Sequence, residues 1–213
     1  MERRRLADIF PNNKALLFST ILDFRLLHSF RSSSKQPMPI TIRQPENIIT
    51  PIFQAAPSFK TMLLFLDFDG VLHSAYAFRQ EQMFSQIPIF ERFFRQPENT
   101  HIQFVISSTW RSGRDLAALR RPFSPDIAQR IIGKTPEHVA TSPIATREQE
   151  ILCYLDDNLI PNEPWLALDD ARSYFNHHRQ RVYFCTAGTG LTERDLPELS
   201  QLIHRVANHF QAA

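Results

Sequence analysis

The sequence predicts an α/β protein with a doubly wound parallel sheet. Runs of strand length, apolar and rich in β-branched or aromatic residues, fall near 62–67, 102–107, 165–169 and 181–185, with a shorter one at 130–132. Helical segments separate them, and strands that alternate with helices pair in parallel. Side chains suited to chemistry stand at the ends of these runs, at Asp67, Asp69, Ser107, Asp169 and Asp170. Open α/β sheets bind ligands there, outside the carboxyl ends of their strands.

Residues 1–61 are a different kind of sequence. They hold a basic start (Arg3-Arg4-Arg5), a serine patch (Ser32-Ser33-Ser34), scattered prolines and little sustained periodicity. Leu16 to Leu27 could form a short helix, interrupted by polar residues. The marks of a secretory signal are not evident. Glu2, Asp8, Asp23 and Glu46 are acids that a mitochondrial presequence avoids. The expectation is a disordered extension, or a start codon placed too early, ahead of one domain at 62–213.

Met62 opens the first strand directly. Ser112 reads as the cap of a helix reaching residue 120. Thr146 and Gln149 read as a capping box for a helix ending near residue 155. Asp195 and Glu198 read as another, with Pro197 in the tolerated first turn. The last helix is amphipathic, with Leu199, Leu202, Ile203, Val206 and Phe210 at helical spacing.

Composition agrees with one domain. A chain of 213 residues with 43% apolar content can bury one sizeable core. Cys153 and Cys185 are too few for a disulfide framework and read as reduced core thiols. No apolar stretch approaches the roughly 20 residues that span a bilayer, so a cytoplasmic protein without a membrane partner is expected. The net charge of +2 hides an asymmetry, since residues 1–61 carry nine Lys/Arg and four Asp/Glu while 62–213 carry 15 and 18. A mildly acidic domain argues against a long phosphate-tracking surface.

The chemistry is concentrated in Leu63-Leu64-Phe65-Leu66-Asp67-Phe68-Asp69-Gly70-Val71-Leu72. Side chains alternate along a strand, so Asp67 and Asp69 can share one side. Gly70 lets the chain leave the strand at dihedrals most residues avoid. Two acids there are costly unless a cation or proton compensates them. The pair therefore suggests a hard divalent metal and an aspartate nucleophile. An EF-hand does not fit, because its loop glycine stands sixth and Gly70 is fourth from Asp67.

This run resembles the first motif of the haloacid dehalogenase (HAD) superfamily, a D-x-D pair at the end of the first strand. Ser107-Ser108-Thr109-Trp110-Arg111 resembles its second motif, a hydroxyl at the end of the next strand. Trp165 to Asp170 resembles its fourth, whose acids complete a metal site. With Gly133-Lys134-Thr135-Pro136, Arg147-Glu148-Gln149-Glu150-Ile151 and Thr189-Gly190-Leu191-Thr192, the succession is similar to one smaller group. That group is the HAD domain of "Swiss Army Knife" RNA repair proteins, where it accompanies ligases and other end-processing modules. The similarity covers most of the chain from Met62 onward. Nothing here resembles a nucleotidyl-transferase lysine motif or a second enzyme.

The resemblance implies a Rossmann-like sheet of the HAD type and a Mg²⁺-dependent phosphatase working through an aspartyl-phosphate. Asp67 would be the nucleophile and Asp69 the general acid and base. Ser107 would hydrogen-bond a phosphoryl oxygen, with Ser108 as the alternative. Mg²⁺ would be held by Asp67, the backbone carbonyl of Asp69, and Asp169 or Asp170. Arg147 and Lys134 compete as the phosphate-binding base. Arg147 is favoured, because a cation in a first helical turn opposes the helix dipole and needs another reason to be there. Arg111 could bind substrate or pair with an acid.

Only 37 residues separate Asp69 from Ser107, and 61 separate Ser107 from Asp169. Neither interval has room for a lid domain, so a minimal cap and an open site are expected. Gln82 to Arg95 would be a helical flap, with Arg79, Arg92 and Arg95 able to meet phosphates. An open site suits phosphorylated RNA or DNA ends, with no obligate protein partner. Protein or nucleotide phosphatase activity, or an inactive phosphate- or protein-binding module, are the alternatives. Gly188-Thr189-Gly190 reads as a turn, His177-His178 as a solvated helix end, and His73 as a surface residue.

Overall fold

A computed structural model describes residues 61–137 and 145–211. The expectations for the N-terminal extension, including the helix at Leu16 to Leu27, lie outside the described residues. Five strands form one sheet, β1 (Met62–Leu66), β2 (Ile102–Ile106), β3 (Ile131–Lys134), β4 (Trp165–Asp169) and β5 (Val182–Phe184). Their order is β3-β2-β1-β4-β5, and every pairing is parallel. The doubly wound α/β class expected from the alternation is the one observed.

Among the described residues five α-helices flank the sheet, α1 (Ile87–Phe94), α2 (Leu116–Arg120), α3 (Pro125–Arg130), α4 (Thr146–Asp157) and α5 (Leu196–Gln211). Alternation along the strands sorts side chains to two faces. Leu64, Leu66, Phe104, Ile106, Leu166 and Leu168 pack with residues from α1, α2, α3 and α5. Leu63, Phe65, Val105, Trp165 and Ala167 pack instead with Ile151, Tyr154 and Leu155 of α4. Strands buried on both faces need continuous apolar runs, which explains why all five residues of β1 are buried. Many of the phenylalanines form one cluster of tilted and edge-to-face rings, with Phe90 against Phe94, Phe104 and Phe123, and Phe68 against Phe84, Phe123 and Trp110.

Several helix starts differ from expectation. Ser112 does not cap a helix, because Thr109–Arg111 forms a 3₁₀ turn capped by Ser108, and Asp115 Oδ1 accepts from Ala118 N–H to start α2. Thr146 is the first residue inside α4, after Ala145 in the left-handed region. Asp195 precedes α5, but its carboxylate faces backward, accepting from Thr192 and from the Tyr183 hydroxyl at 2.7 Å. Asp195 alone of the three is shown with side-chain partners outside the local capping pattern.

The flap expected at Gln82 to Arg95 is a correction. Ile87, Phe90, Phe93 and Phe94 recur at helical spacing, and burying that stripe in the core is worth more than leaving it at a rim. Arg95 pairs with Asp126 through Nε and Nη2, and Arg92 pairs with Glu193. The chain between β1 and α1 is instead an irregular loop, on which Tyr76 and Phe78 are exposed. Cys185 is buried, but Cys153 is only half-buried, with its thiol against Asp157.

Candidate active site

Asp67 stands one residue past β1, where the parallel ladder continues beyond the strands. Its N–H donates to Leu168 O at 3.0 Å, and Ser107 N–H donates to Leu66 O at 2.9 Å. Thr135 N–H donates to Ile106 O at 2.9 Å, and Cys185 N–H to Asp169 O at 2.9 Å. One row therefore crosses the sheet as Thr135, Ser107, Asp67 and Asp169. Asp67, Ser107 and Asp169 lie two residues beyond Phe65, Val105 and Ala167, so they extend the sheet face covered by α4.

Arg147 enters from the first turn of α4. Its Nη2 lies 3.3 Å from Asp67 Oδ2 and its Nε 3.7 Å from Asp169 Oδ2. Glu150 Oε2 is 4.0 Å from the same Nε, and the Tyr174 ring lies beneath the guanidinium. Burial by itself would lower the Arg147 pKa, but the carboxylates of Asp67, Asp169 and Glu150 outweigh it and hold it above its ordinary value. Its Nη1 is buried without a hydrogen-bond partner.

Asp67, Asp169 and Asp170 each bring a carboxylate oxygen within 4.8 Å of the others. Asp67 Oδ1 accepts from Phe68 N–H at 2.7 Å, and Asp169 Oδ1 from Ala171 N–H at 2.8 Å. Asp169 Oδ2 is buried and accepts no hydrogen bond. Burial and the nearby charge of Asp67 push the Asp169 carboxyl up to about 7, and Arg147 offsets this only in part. Burial and Asp67 also raise Asp170. Clustered oxygen donors with one orphaned buried oxygen fit a hard divalent cation. Gly70 makes the arrangement possible. It has φ +69°, and a Cβ there would stand 2.2 Å from Asp170 Oδ2.

The remaining candidates separate. Asp69 lies outside the carboxylate cluster and is hydrogen-bonded to His73 and Trp110. Ser107 Oγ is buried without a partner, beside Asp67 in the row. Ser108 Oγ accepts from Trp110 N–H and serves as a cap. Lys134 Nζ donates to Arg111 O and Arg114 O at 3.1 and 2.7 Å, on the loop after β2. Arg111 is buried and pairs with Glu150, while its other N–H groups reach the carbonyls of Ser107, Ser108, Thr135 and Pro136. Of the two uses considered for it, the structure places it with an acid.

His73 was expected on the surface and is 1% exposed. The ring of Trp110, on the turn after the adjacent strand β2, and the carboxylate four residues before it draw it inward. Its spacing from Asp69 was the available signal, as was the Arg147-x-x-Glu150 spacing for Glu150. His177-His178 is not a free helix end, because Glu148 accepts from the His177 N–H and bonds the His178 ring at 2.7 Å. Gly188-Thr189-Gly190 is the expected turn. Gly190 has φ +69°, and a Cβ there would meet Val71 O at 2.6 Å.

Among the described residues, no helix is long and apolar enough to cross a membrane. Comparison with curated proteins and with solved structures gives no match. A family model does match, over residues 63–196, and its span takes in the whole row of strand-end residues and α4. That is well over half of the 213-residue chain. The all-parallel sheet with helices on both faces is the Rossmann-like architecture of the same superfamily. This chain belongs to the family described as the HAD domain in Swiss Army Knife RNA repair proteins.

Proposed function

We propose that residues 62–213 form a metal-dependent phosphohydrolase that acts through an aspartyl-phosphate on phosphorylated nucleic-acid ends. One observation carries the reading. Around Asp67, the buried Ser107 Oγ, Arg147 Nη1 and Asp169 Oδ2 all lack hydrogen-bond partners. Buried polar atoms are almost always paired, so two donors and one acceptor left open around a carboxylate call for a ligand that is both anionic and cation-bound. A phosphate with a divalent metal is such a ligand.

In the first step an oxygen of Asp67 attacks phosphorus in line. The new P–O bond forms as the bond to the leaving oxygen breaks, and Asp69 gives that oxygen a proton. In the second step Asp69, now a carboxylate, takes a proton from water. The water oxygen attacks phosphorus, the bond to Asp67 breaks, and inorganic phosphate departs. Ser107 Oγ donates to a phosphoryl oxygen, and Arg147 Nη1 offsets charge on the transferring group. Asp67, the backbone carbonyl of Asp69, Asp169 and Asp170 would hold Mg²⁺, which supplies charge neutralisation between carboxylates and phosphate. Lys134 has no part in this scheme, since its ammonium is tied to loop carbonyls.

The substrate class follows from openness and family. The loop after β1 and the loop after β5 border an open groove of about 600 Å³, lined by Ser74, Tyr76, Gln82, Gln86, Thr189 and Thr192. None of the acid-cluster residues lines this groove, so it would take the rest of a large substrate rather than its phosphate, and the family is one of RNA repair. Both cysteines stay free, which suits a cytoplasmic setting. The test is turnover of a 5′- or 3′-phosphorylated oligonucleotide, a mononucleotide and a phosphoserine peptide, with and without Mg²⁺. The oligonucleotide should show the highest kcat/KM and only with metal. Preference for the peptide or mononucleotide rejects the substrate class, and no turnover of any rejects the reaction.

A further inference from the structure

Asp69 is held by both of its oxygens. Oδ1 lies 2.9 Å from His73 Nε2, and Oδ2 accepts from Trp110 Nε1 at 2.9 Å. The two donors come from separate places, His73 from the loop after β1 and Trp110 from the 3₁₀ turn after β2. The Asp69 side chain nevertheless keeps 46% of its surface exposed. It is anchored from behind and open in front. A carboxylate that water reaches needs neither bond for its own sake.

The anchors are themselves braced. The His73 ring is buried and meets Phe84 and Trp110 edge-on, with centroids 5.2 and 5.8 Å away. Phe84 meets Trp110 at 5.1 Å and Phe68 at 5.6 Å. Phe84 holds φ at 59°, in the left-handed region. That conformation costs a non-glycine residue about 1–2 kcal/mol and persists only where surrounding packing over-determines it. The strained phenylalanine closes an aromatic cluster whose polar edges, His73 Nε2 and Trp110 Nε1, both point at one acid.

We infer that His73 and Trp110 are positioning residues that fix Asp69 for proton transfer to the leaving group. The inference rests on the phosphohydrolase reading and adds to it a source of geometry for the acid. Asp69 follows the strand and precedes the Gly70 turn, so nothing in the sheet itself fixes its side-chain torsions. Proton transfer requires heavy atoms about 2.6–3.2 Å apart. Two hydrogen bonds on the rear lone pairs hold the carboxyl in one rotamer and leave its forward lone pairs for the substrate. Both residues bond Asp69 and neither belongs to the proposed phosphate-binding pair Ser107 and Arg147, so both would act through Asp69.

The leaving group reveals such a role. Protonation matters greatly for an alkyl alcohol and little for p-nitrophenolate, which departs as an anion. The ratio kcat/KM covers steps through release of the first product, so it isolates the proton given by Asp69. Trp110→Phe keeps the ring and removes the donor; His73→Leu removes the other donor, and His73→Gln keeps an N–H near the Nε2 position. With an alkyl phosphate, Trp110→Phe and His73→Leu should each lose roughly 10- to 100-fold in kcat/KM, a share of the full general-acid effect. With p-nitrophenyl phosphate the same variants should stay within about threefold of wild type, because that step needs no acid. His73→Gln should recover most of the alkyl activity. Equal losses on both substrates would mean a packing role alone and overturn the inference, as would no loss on either. Trp110→Phe preserves the aromatic cluster, so the result does not depend on His73→Leu folding. A wild-type chain that turns over neither these esters nor a phosphorylated oligonucleotide overturns the phosphohydrolase reading, and this inference with it; selective failure among variants of an active wild type overturns only the inference.

Discussion

Gly70 and Asp170 occupy touching positions: the missing Cβ of one would stand 2.2 Å from the carboxylate oxygen of the other. The glycine turn after β1 therefore shapes the acid cluster at the end of β4, across a strand pair that is in direct register. Gly70→Ala should cost about 1–2 kcal/mol for the left-handed backbone alone. It should also push Asp170 to another rotamer and weaken metal binding. Thermal unfolding with and without Mg²⁺ checks both, and an unchanged metal response would place Asp170 outside the metal site.

Asp67→Asn keeps size and shape while removing the attacking charge. Activity should fall by at least about 10³, as expected when covalent catalysis is lost. The fold should survive, because the substitution relieves repulsion with Asp169 and Asp170. Near wild-type turnover would end the aspartyl-phosphate scheme.

Mg²⁺ should raise the melting temperature by binding only the folded state, adding about 2.7 kcal/mol of stability at a hundredfold excess over Kd. Asp169→Asn should reduce this shift more than Asp170→Asn, since Asp169 is fully buried and carries the orphaned oxygen. Calorimetry on the three proteins decides it, and equal responses would undo the ranking.

Glu148, next to Arg147 but bonded to Asn176, His177 and His178, gives a pH signature of its own. Burial alone would raise its carboxyl, but hydrogen bonds from the Asn176 N–H, the His178 ring and the His177 N–H outweigh it and hold it below its ordinary 4.5. A depressed folded-state pKa contributes stability that is complete above the unfolded value and lost as pH falls through the folded one. Glu148→Gln should cost about 2 kcal/mol at neutral pH, the scale of bonds to a buried charge. The gap between the two melting curves should close below pH 4.5, starting from the unfolded value. A gap that persists in strong acid would assign the loss to shape rather than charge.

A chain beginning at Met62 should fold and match the full chain in kcat/KM, because β1 starts there and all five of its residues are buried in the sheet. Insolubility of the shorter chain beside a soluble full one would show that residues 1–61 contribute to folding.

The strands and the acids at their ends were legible because both are local. A parallel strand buried on two faces must be a continuous apolar run, and a carboxylate at its end must be written immediately after it. The ends of these runs could thus be placed at one side of the sheet from the sequence, while the family resemblance chose Ser107 over Ser108 and pointed to Asp169 and Asp170. Partner choice was not local. Whether Arg147 or Lys134 faces Asp67 depended on which sheet face α4 covers, and that follows from the β3-β2-β1-β4-β5 order rather than from either residue's neighbours. Arg111, a candidate for substrate in the sequence, is used up by Glu150 and four carbonyls because helix α4 and the loops after β2 and β3 converge on it. His73 and Trp110 are 37 residues apart in the chain and meet on Asp69 only because β1 and β2 are adjacent. The sequence determined which chemical groups reach the carboxyl edge; the tertiary structure decided which of them face one another, since hydrogen bonds and ion pairs form between faces that only packing brings together.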